Sequence, residues 1–364
     1  MRLLADVHAA RSAAAETLVD LGRGNPDVPP PAHVIEALVD AARQRTTAMH
    51  GYAPFSGLRE LRWAIAERYS SVYGVSLDPD TEVAVVPGTK TALVEIVLCV
   101  AERGDTVLLP DPYYPDYPSG VALAGAELGL LGLDGDAGYA PRFDEAPPEG
   151  VAVVFLNYPS NPTAAAVPPG AFADAVRYAR ATGAVIVHDF AYGDLVFDGR
   201  KPRSFLAEPG AREVGVELFS MSKSFGMAGW RLGFVLGNAE LVRRIGEIQD
   251  HARAGIFSPV QHAGIAALRG PQETVAERRD LYRRRRDFVL SALGERCAPC
   301  EGTFYVWLRL PDDVTPARLL SEHRVAVAPG EGFGPAGTGW ARISLAIPDD
   351  QLELGLERLR VALR

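Results

Sequence analysis

Lys223 stands in the stretch SMSKSFGMAGWRLGF, residues 220–234, with Ser220 and Ser222 before it and Arg231 eight positions after it. The apolar run VGVELF just upstream reads as a buried strand, so the lysine sits at a strand end. An amine there has a specific chemical use. It attacks an aldehyde when unprotonated, which requires its usual pKa of about 10.4 to be lowered by burial or by neighbouring cations. A cleft at the strand end supplies the burial, and Arg231 supplies the positive charge.

A cofactor that offers such an aldehyde is pyridoxal phosphate, and its remaining parts each need a partner. A protonated pyridine nitrogen calls for a carboxylate. The run VIVHDFAY ends a strand pattern with Asp189, and Tyr192 follows, a phenol able to bond the ring oxygen. The phosphate calls for donors and a positive dipole. Gly88, Thr89 and Lys90 in PGTK open a helix pattern, while Ser220 and Arg231 add a hydroxyl and a fixed cation. Taken singly these residues have plainer readings, such as Asp189 as a helix N-cap. Taken together they address every face of one molecule.

The elements that must position them read as α/β. Short apolar runs (EVAVVP, DTVLLP, GVAVVFLN, AVIVHDF, VGVELFSMS, RLGFVLG) alternate with longer segments, several helix-patterned. This layout predicts a largely parallel sheet covered on both faces. After PGTK, Ala92, Leu93, Ile96, Val97 and Val100 recur with the helical period, which puts Gly88 at a helix N-terminus. At 364 residues the chain exceeds the ~250–300 at which single cores stop growing, so two domains are expected. Residues 1–45 read as an N-terminal arm belonging with the small domain, 46–272 as the large domain, and 273–364 as a smaller α+β domain entered through a long helix from about Glu273 to Leu293.

Charge and composition narrow the function. A formal net charge of −9 argues against nucleic acid. The one basic run, Arg278, Arg279 and Arg283 to Arg286, is interspersed with acids and reads as a solvated helix face. Three cysteines, Cys99, Cys297 and Cys300, suit a reducing compartment, and CAPC at 297–300 lacks the second pair a metal site would need. No stretch approaches the ~20 apolar residues of a membrane span. The N-terminal residues are interrupted by charge before a leader core develops. A soluble, cytoplasmic protein is expected.

The serine three positions before Lys223, the lysine, then Arg231 followed by Leu-Gly resemble the cofactor-lysine signature of the class I and II aminotransferases, pyridoxal-phosphate enzymes of fold type I. GYAPFSGLRELR, DPYYPDY, NYPSNPT, HDFAY and WARIS occur in that family's order, so the resemblance runs from about Gly22 to the C-terminus. It implies a large domain with a mostly parallel seven-stranded sheet between helices, plus a smaller α+β domain. Lys223 is implied to hold the cofactor and to move the substrate's α-proton. Asp189 is implied to pair with the pyridine nitrogen, Tyr192 and Asn161 to bond the ring oxygen, and Tyr114 to stack on the ring. Gly88, Thr89, Lys90, Ser220, Ser222 and Arg231 are implied to hold the phosphate. Tyr52 matches a tyrosine that reaches the neighbouring subunit's phosphate, which implies a homodimer. Arg342, with Gly24 and Asn161, matches the substrate α-carboxylate site. One departure stands out: the family's NPTG reads NPTA here, with Ala164 in the turn.

The resemblance implies transfer of an amino group between an amino acid and a 2-oxo acid. Carbon–sulfur lyases share the signature, and an effector-binding module of a transcription regulator shares the fold. An acidic substrate needs a second cation, for which Arg253 is a candidate. Phe55, Tyr113, Phe257 and Phe333 are candidates for an apolar pocket. In texture the chain is most similar to the branch acting on the 2-oxo acid of methionine, with aspartate and diaminopimelate types nearby.

Overall fold

The computed structural model describes residues 17–364. The start of the 1–45 arm and most of the stretch read for a leader lie outside the described residues. Strand β1 (Val19–Asp20) precedes the strands of a large sheet: β2 (Val83–Val86), β3 (Thr106–Asp111), β4 (Glu127–Asp134), β5 (Ala140–Pro141), β6 (Val151–Asn157), β7 (Val185–Asp189), β8 (Gly215–Ser220) and β9 (Gly233–Gly237). Their spatial order is β2-β9-β8-β7-β6-β3-β4-β5. Strand β9 runs antiparallel to both neighbours, and the two-residue β5 is antiparallel to β4, so seven longer strands form the sheet proper.

Both faces are apolar because successive side chains alternate between two cores. Val83, Val85, Leu108, Val154, Leu156 and Ile186 join one, beneath helices Arg59–Arg68, Ala171–Thr182 and Ser258–Arg269. Ala84, Val86, Val107, Leu109, Val153, Phe155 and Val187 join the other, beneath helices Thr89–Val100 and Ala239–Ala252. The central strands β6, β7 and β8 are parallel, with Asn157 paired in register with Asp189, and Asp189 with Leu218. Their carboxyl ends therefore open on one edge of the sheet, where open α/β sheets bind ligands.

A third apolar core draws on β10 (Tyr305–Arg309), β11 (Val325–Ala326) and β13 (Trp340–Ser344), together with helices Glu273–Leu293 and Asp349–Ala362, and β12 (Ala328–Pro329) pairs with β13 beside it. Strand β1 pairs in parallel with β11, which lays the chain from Val19 onward against this unit. Helix Ala32–Arg43 instead puts Val34 into the large core.

The basic face of helix Glu273–Leu293 differs from the solvated stripe expected. Arg278, Arg285 and Arg286 are buried. Arg278 donates to the carbonyls of Val28 and Pro29 at 3.2 and 3.0 Å, and Arg285 and Tyr282 both donate to Asp27. Arg286 holds Asp198 and the carbonyl of Cys300. These partners lie 88 to 258 residues away or outside the helical period, so periodicity could not show them. Among the described residues, no helix is long and apolar enough to cross a membrane.

Candidate active site

A cleft of about 1090 Å³ opens at the carboxyl edge of the sheet and is roofed by the second unit. Lys223 sits on its floor, in the short helix Met221–Ser224 that continues β8, where Ser220 caps the turn by accepting from the amide of Ser222 at 3.2 Å. The amine donates to the carbonyl of Gly24 at 3.0 Å and lies 5.2 Å from the ring of Phe304 and 5.8 Å from that of Tyr192. Burial lowers its pKa to about 8, helped by the cations Arg342 and Arg231 and opposed by Asp189.

Asp189, at the end of β7, is buried, and its Oδ2 accepts from Tyr117 Oη at 3.0 Å while Oδ1 accepts from the amide of Ala191. Burial raises its pKa, and these two hydrogen bonds hold it back. Tyr117 thus has a definite role: its ring stacks on Phe155 at 4.8 Å and its hydroxyl aims the carboxylate. Asn157, one strand over, donates from Nδ2 to the carbonyl of Asp189 at 2.8 Å and accepts from the amide of Asn161 at 2.7 Å. It ties the two predicted residues together.

Asn161 in turn accepts from Arg342 Nη1 at 2.8 Å through its side chain, and Arg342 Nη2 donates to the carbonyl of Gly22 at 2.9 Å. The buried guanidinium lies over the ring of Tyr305, 4.0 Å from its centroid, and leaves its Nε without a partner. No carboxylate is paired with it among the described residues. Burying a cation this way is costly unless a ligand anion completes it. Tyr305 Oη is 3.1 Å from Tyr192 Oη. A Cβ at position 24 would stand 2.3 Å from that same Tyr305 oxygen, so glycine alone lets the arm lie this close.

At the other end, helix Thr89–Val100 starts at Gly88 with no side-chain cap, and its first amides have no intrahelical acceptor. Thr89, Ser220, Ser222 and Arg231 line the cleft around them. Gly88 has φ +83°, and a Cβ there would lie 2.2 Å from Arg231 Nη2. Arg231 itself holds φ +55°, and its Nη1 donates to the carbonyl of Ala228 at 2.9 Å. Lys90 reaches the cleft too, but its amine is bound to Asp116 at 2.8 Å, which leaves only its backbone for a ligand. Amides, hydroxyls and a guanidinium at one end, an amine in the middle, a carboxylate and a phenol deep in the floor, and an incomplete arginine at the far end form a donor set that fits pyridoxal phosphate with an amino acid beside it.

The structure brings Gly24, Thr89, Lys90, Tyr114, Asn161, Asp189, Tyr192, Ser220, Ser222, Lys223, Arg231 and Arg342 to this cleft, with Gly88 behind Arg231. Tyr52 does not join them: it is 87% exposed and away from the cleft of its own chain. Arg253 is bound to the buried Glu95 at 2.7 Å, and of the four candidate aromatics Phe333 alone lines the cleft. Met227 is buried in the large core and Trp230 packs against it; neither faces the site. Gly226, at φ +71°, leaves no room for a Cβ against Val28 and Arg278, whereas Gly229 has open space and an ordinary backbone. The thiols are free, Cys300 is buried, and burial pushes Cys297 up to about 11. Among the described residues no cluster could hold a metal ion. Sequence reasoning missed Tyr305 and Asn157, and the GTFY segment carrying Tyr305 offered only a strand pattern.

Comparison with known proteins agrees with this geometry. Residues 16–359 match the family described as aminotransferase class I and II. The L-glutamine–4-(methylsulfanyl)-2-oxobutanoate aminotransferase of Bacillus subtilis is 40% identical over 352 residues, covering 94% of this chain and 88% of the relative. The LL-diaminopimelate aminotransferase of Moorella thermoacetica is 39% identical over 94% of this chain and 90% of its own. The substrate-bound structure of BacF from Bacillus subtilis superposes with a TM-score of 0.93 at 38% identity, covering 99% and 94% of the two chains. With the family match spanning nearly its whole length and relatives about 40% identical over most of it, this chain belongs to the class I and II aminotransferases, enzymes that depend on pyridoxal phosphate.

Proposed function

We propose that the chain exchanges an amino group between an L-amino acid and a 2-oxo acid, that a neutral or sulfur-containing side chain such as methionine's is among its substrates, and that it works as a homodimer in the cytoplasm. The observation that carries this is one cleft holding both an amine lowered to about 8 and a buried arginine with an unpartnered Nε. When bound, pyridoxal phosphate supplies the aldehyde for the amino group and a ring that draws off the electrons left at the substrate α-carbon.

The chain's residues do the rest. Arg342 grips the α-carboxylate, with Asn161 and the backbone at Gly24 beside it. Lys223 Nζ, which donates to the Gly24 carbonyl, would carry the proton from the donor's α-carbon to the carbon that bore the cofactor's aldehyde, and in the second half would carry a proton the opposite way, to the α-carbon of the former 2-oxo acid. Asp189 keeps a negative charge opposite the ring nitrogen, Tyr192 and Asn161 bond the ring oxygen, and Tyr114 lies along the ring. The amides of Gly88, Thr89 and Lys90, with Ser220, Ser222 and Arg231, hold the phosphate. Tyr52, exposed on one protomer, serves the phosphate of its partner. Residues 46–272, joined by helix Ala32–Arg43, act as the cofactor-binding domain, and 273–364, with the start of the arm at Val19–Asp20, as the smaller unit beside it.

Phe333, Ala328 and Pro329 form an apolar wall that suits a thioether chain, in keeping with the named substrate of the Bacillus subtilis relative. The test is a panel of amino donors and 2-oxo acceptors with ammonia measured in parallel. Transfer to the 2-oxo acid of methionine without ammonia release is expected. Release of ammonia with no amino transfer would instead assign a carbon–sulfur lyase.

A further inference from the structure

We infer that Arg23 is a second anion reader in the cleft, selecting substrates whose side chain ends in a carboxylate; this rests on the amino-transfer reading above. The arm crosses the cleft between its two anchored carbonyls, Gly22 on Arg342 and Gly24 on Lys223. Arg23 lies between them and is one of the residues that line the cleft. A substrate held by its carboxylate at Arg342 and by its α-carbon at Lys223 extends its side chain along this same segment.

The other cations are already engaged. Arg231 stands at the helix start, Lys90 is bound to Asp116, and Arg253 is bound to Glu95 outside the cleft. Arg23 is 54% exposed, and among the described residues its charged contact is a 3.4 Å approach of Nε to Asp20 Oδ2. Its two terminal nitrogens carry no hydrogen bond among the described residues, which leaves a planar donor pair for a ligand. That pair matches a carboxylate in two-point contact. A long, half-exposed arginine can also turn toward water when a neutral chain lies against Phe333. Amino transfer needs exactly such latitude, because one cleft meets two different side chains in each cycle.

The cofactor-loaded protein should be titrated calorimetrically with glutarate and with pentanoate, which differ by one terminal carboxylate. The wild type should prefer glutarate, and Arg23→Gln should cut that preference about tenfold. Arg23→Lys, which keeps the charge, should restore part of it, and Arg253→Gln should leave it in place. The ratio of kcat/KM for 2-oxoglutarate to that for 4-(methylsulfanyl)-2-oxobutanoate should fall in parallel in Arg23→Gln. An unchanged preference in Arg23→Gln, no preference in the wild type, or a loss caused by Arg253→Gln would each overturn the assignment. If the Arg23-dependent preference appears but no amino group is transferred to any 2-oxo acid, the anion subsite stands and the transfer reading fails.

Discussion

The amine of Lys223 lies 3.0 Å from the carbonyl oxygen of Gly24, 199 residues earlier in the chain. The contact ties the amine to the arm across the floor of the cleft, while burial and two arginines bring its pKa to about 8. The chain has three lysines, at 90, 201 and 223. In cofactor-free protein, amine labelling read by mass spectrometry should reach half its limiting rate near pH 8 at Lys223. Half-labelling of Lys223 only near pH 10.5 would contradict the lowered value.

The same shift makes a statement about stability. A lysine whose folded pKa lies below its unfolded value binds fewer protons when folded, so its penalty is present in full below about pH 8 and fades as pH rises to about 10.5. Lys223→Met should therefore stabilise the cofactor-free protein at pH 7, by on the order of 2 kcal/mol. Denaturant unfolding should show the gain shrinking above pH 8. The variant should also lose all amino transfer.

Arg342→Lys keeps the charge but removes the planar fork. We expect kcat/KM to fall roughly tenfold to a hundredfold, the worth of one charge-assisted hydrogen bond, mainly through KM. Cofactor affinity should change little, because the phosphate end lies across the cleft. A selective loss of cofactor binding would move Arg342 out of the substrate's site.

At Gly88 two constraints coincide, a φ of +83° and 2.2 Å from the would-be Cβ to Arg231. Gly88→Ala should destabilise the fold by about 1–2 kcal/mol and push Arg231 aside. Titration of cofactor-free protein should show affinity for pyridoxal phosphate down at least about tenfold. Unaltered affinity would mean that the helix start does not cradle the phosphate.

How far the site was legible follows from where each residue's partners lie. Lys223, Asp189 and Gly88 sit at the ends of apolar runs or the start of a periodic one, and strand ends in parallel sheets converge, so local pattern located them. Tyr305 works through Tyr192, 113 residues away, and Arg342, with no local pattern to mark it, while Asn157 lies inside NYPSNPT but acts through the carbonyl of Asp189 on the next strand, a contact the segment alone does not show. Arg253 illustrates the reverse. Its charge looked available until Glu95, buried and 158 residues distant, claimed it. Ala164 in NPTA carries φ +61°, the left-handed turn a glycine adopts freely, and its carbonyl still accepts from the amides of Glu301 and Gly302. The turn survives the substitution because contacts from the second unit hold it.

The arm from Gly22 to Pro29 is gripped from both sides: its carbonyls at 22 and 24 by Arg342 and Lys223, its Asp27 by Tyr282 and Arg285, its carbonyls at 28 and 29 by Arg278. It is thus a shared tether, one short segment held at three stations. The strip of backbone that closes on the arginine at one end of the cleft is therefore the same strip that closes on its amine, two residues apart in a chain whose partners stand at 342 and 223.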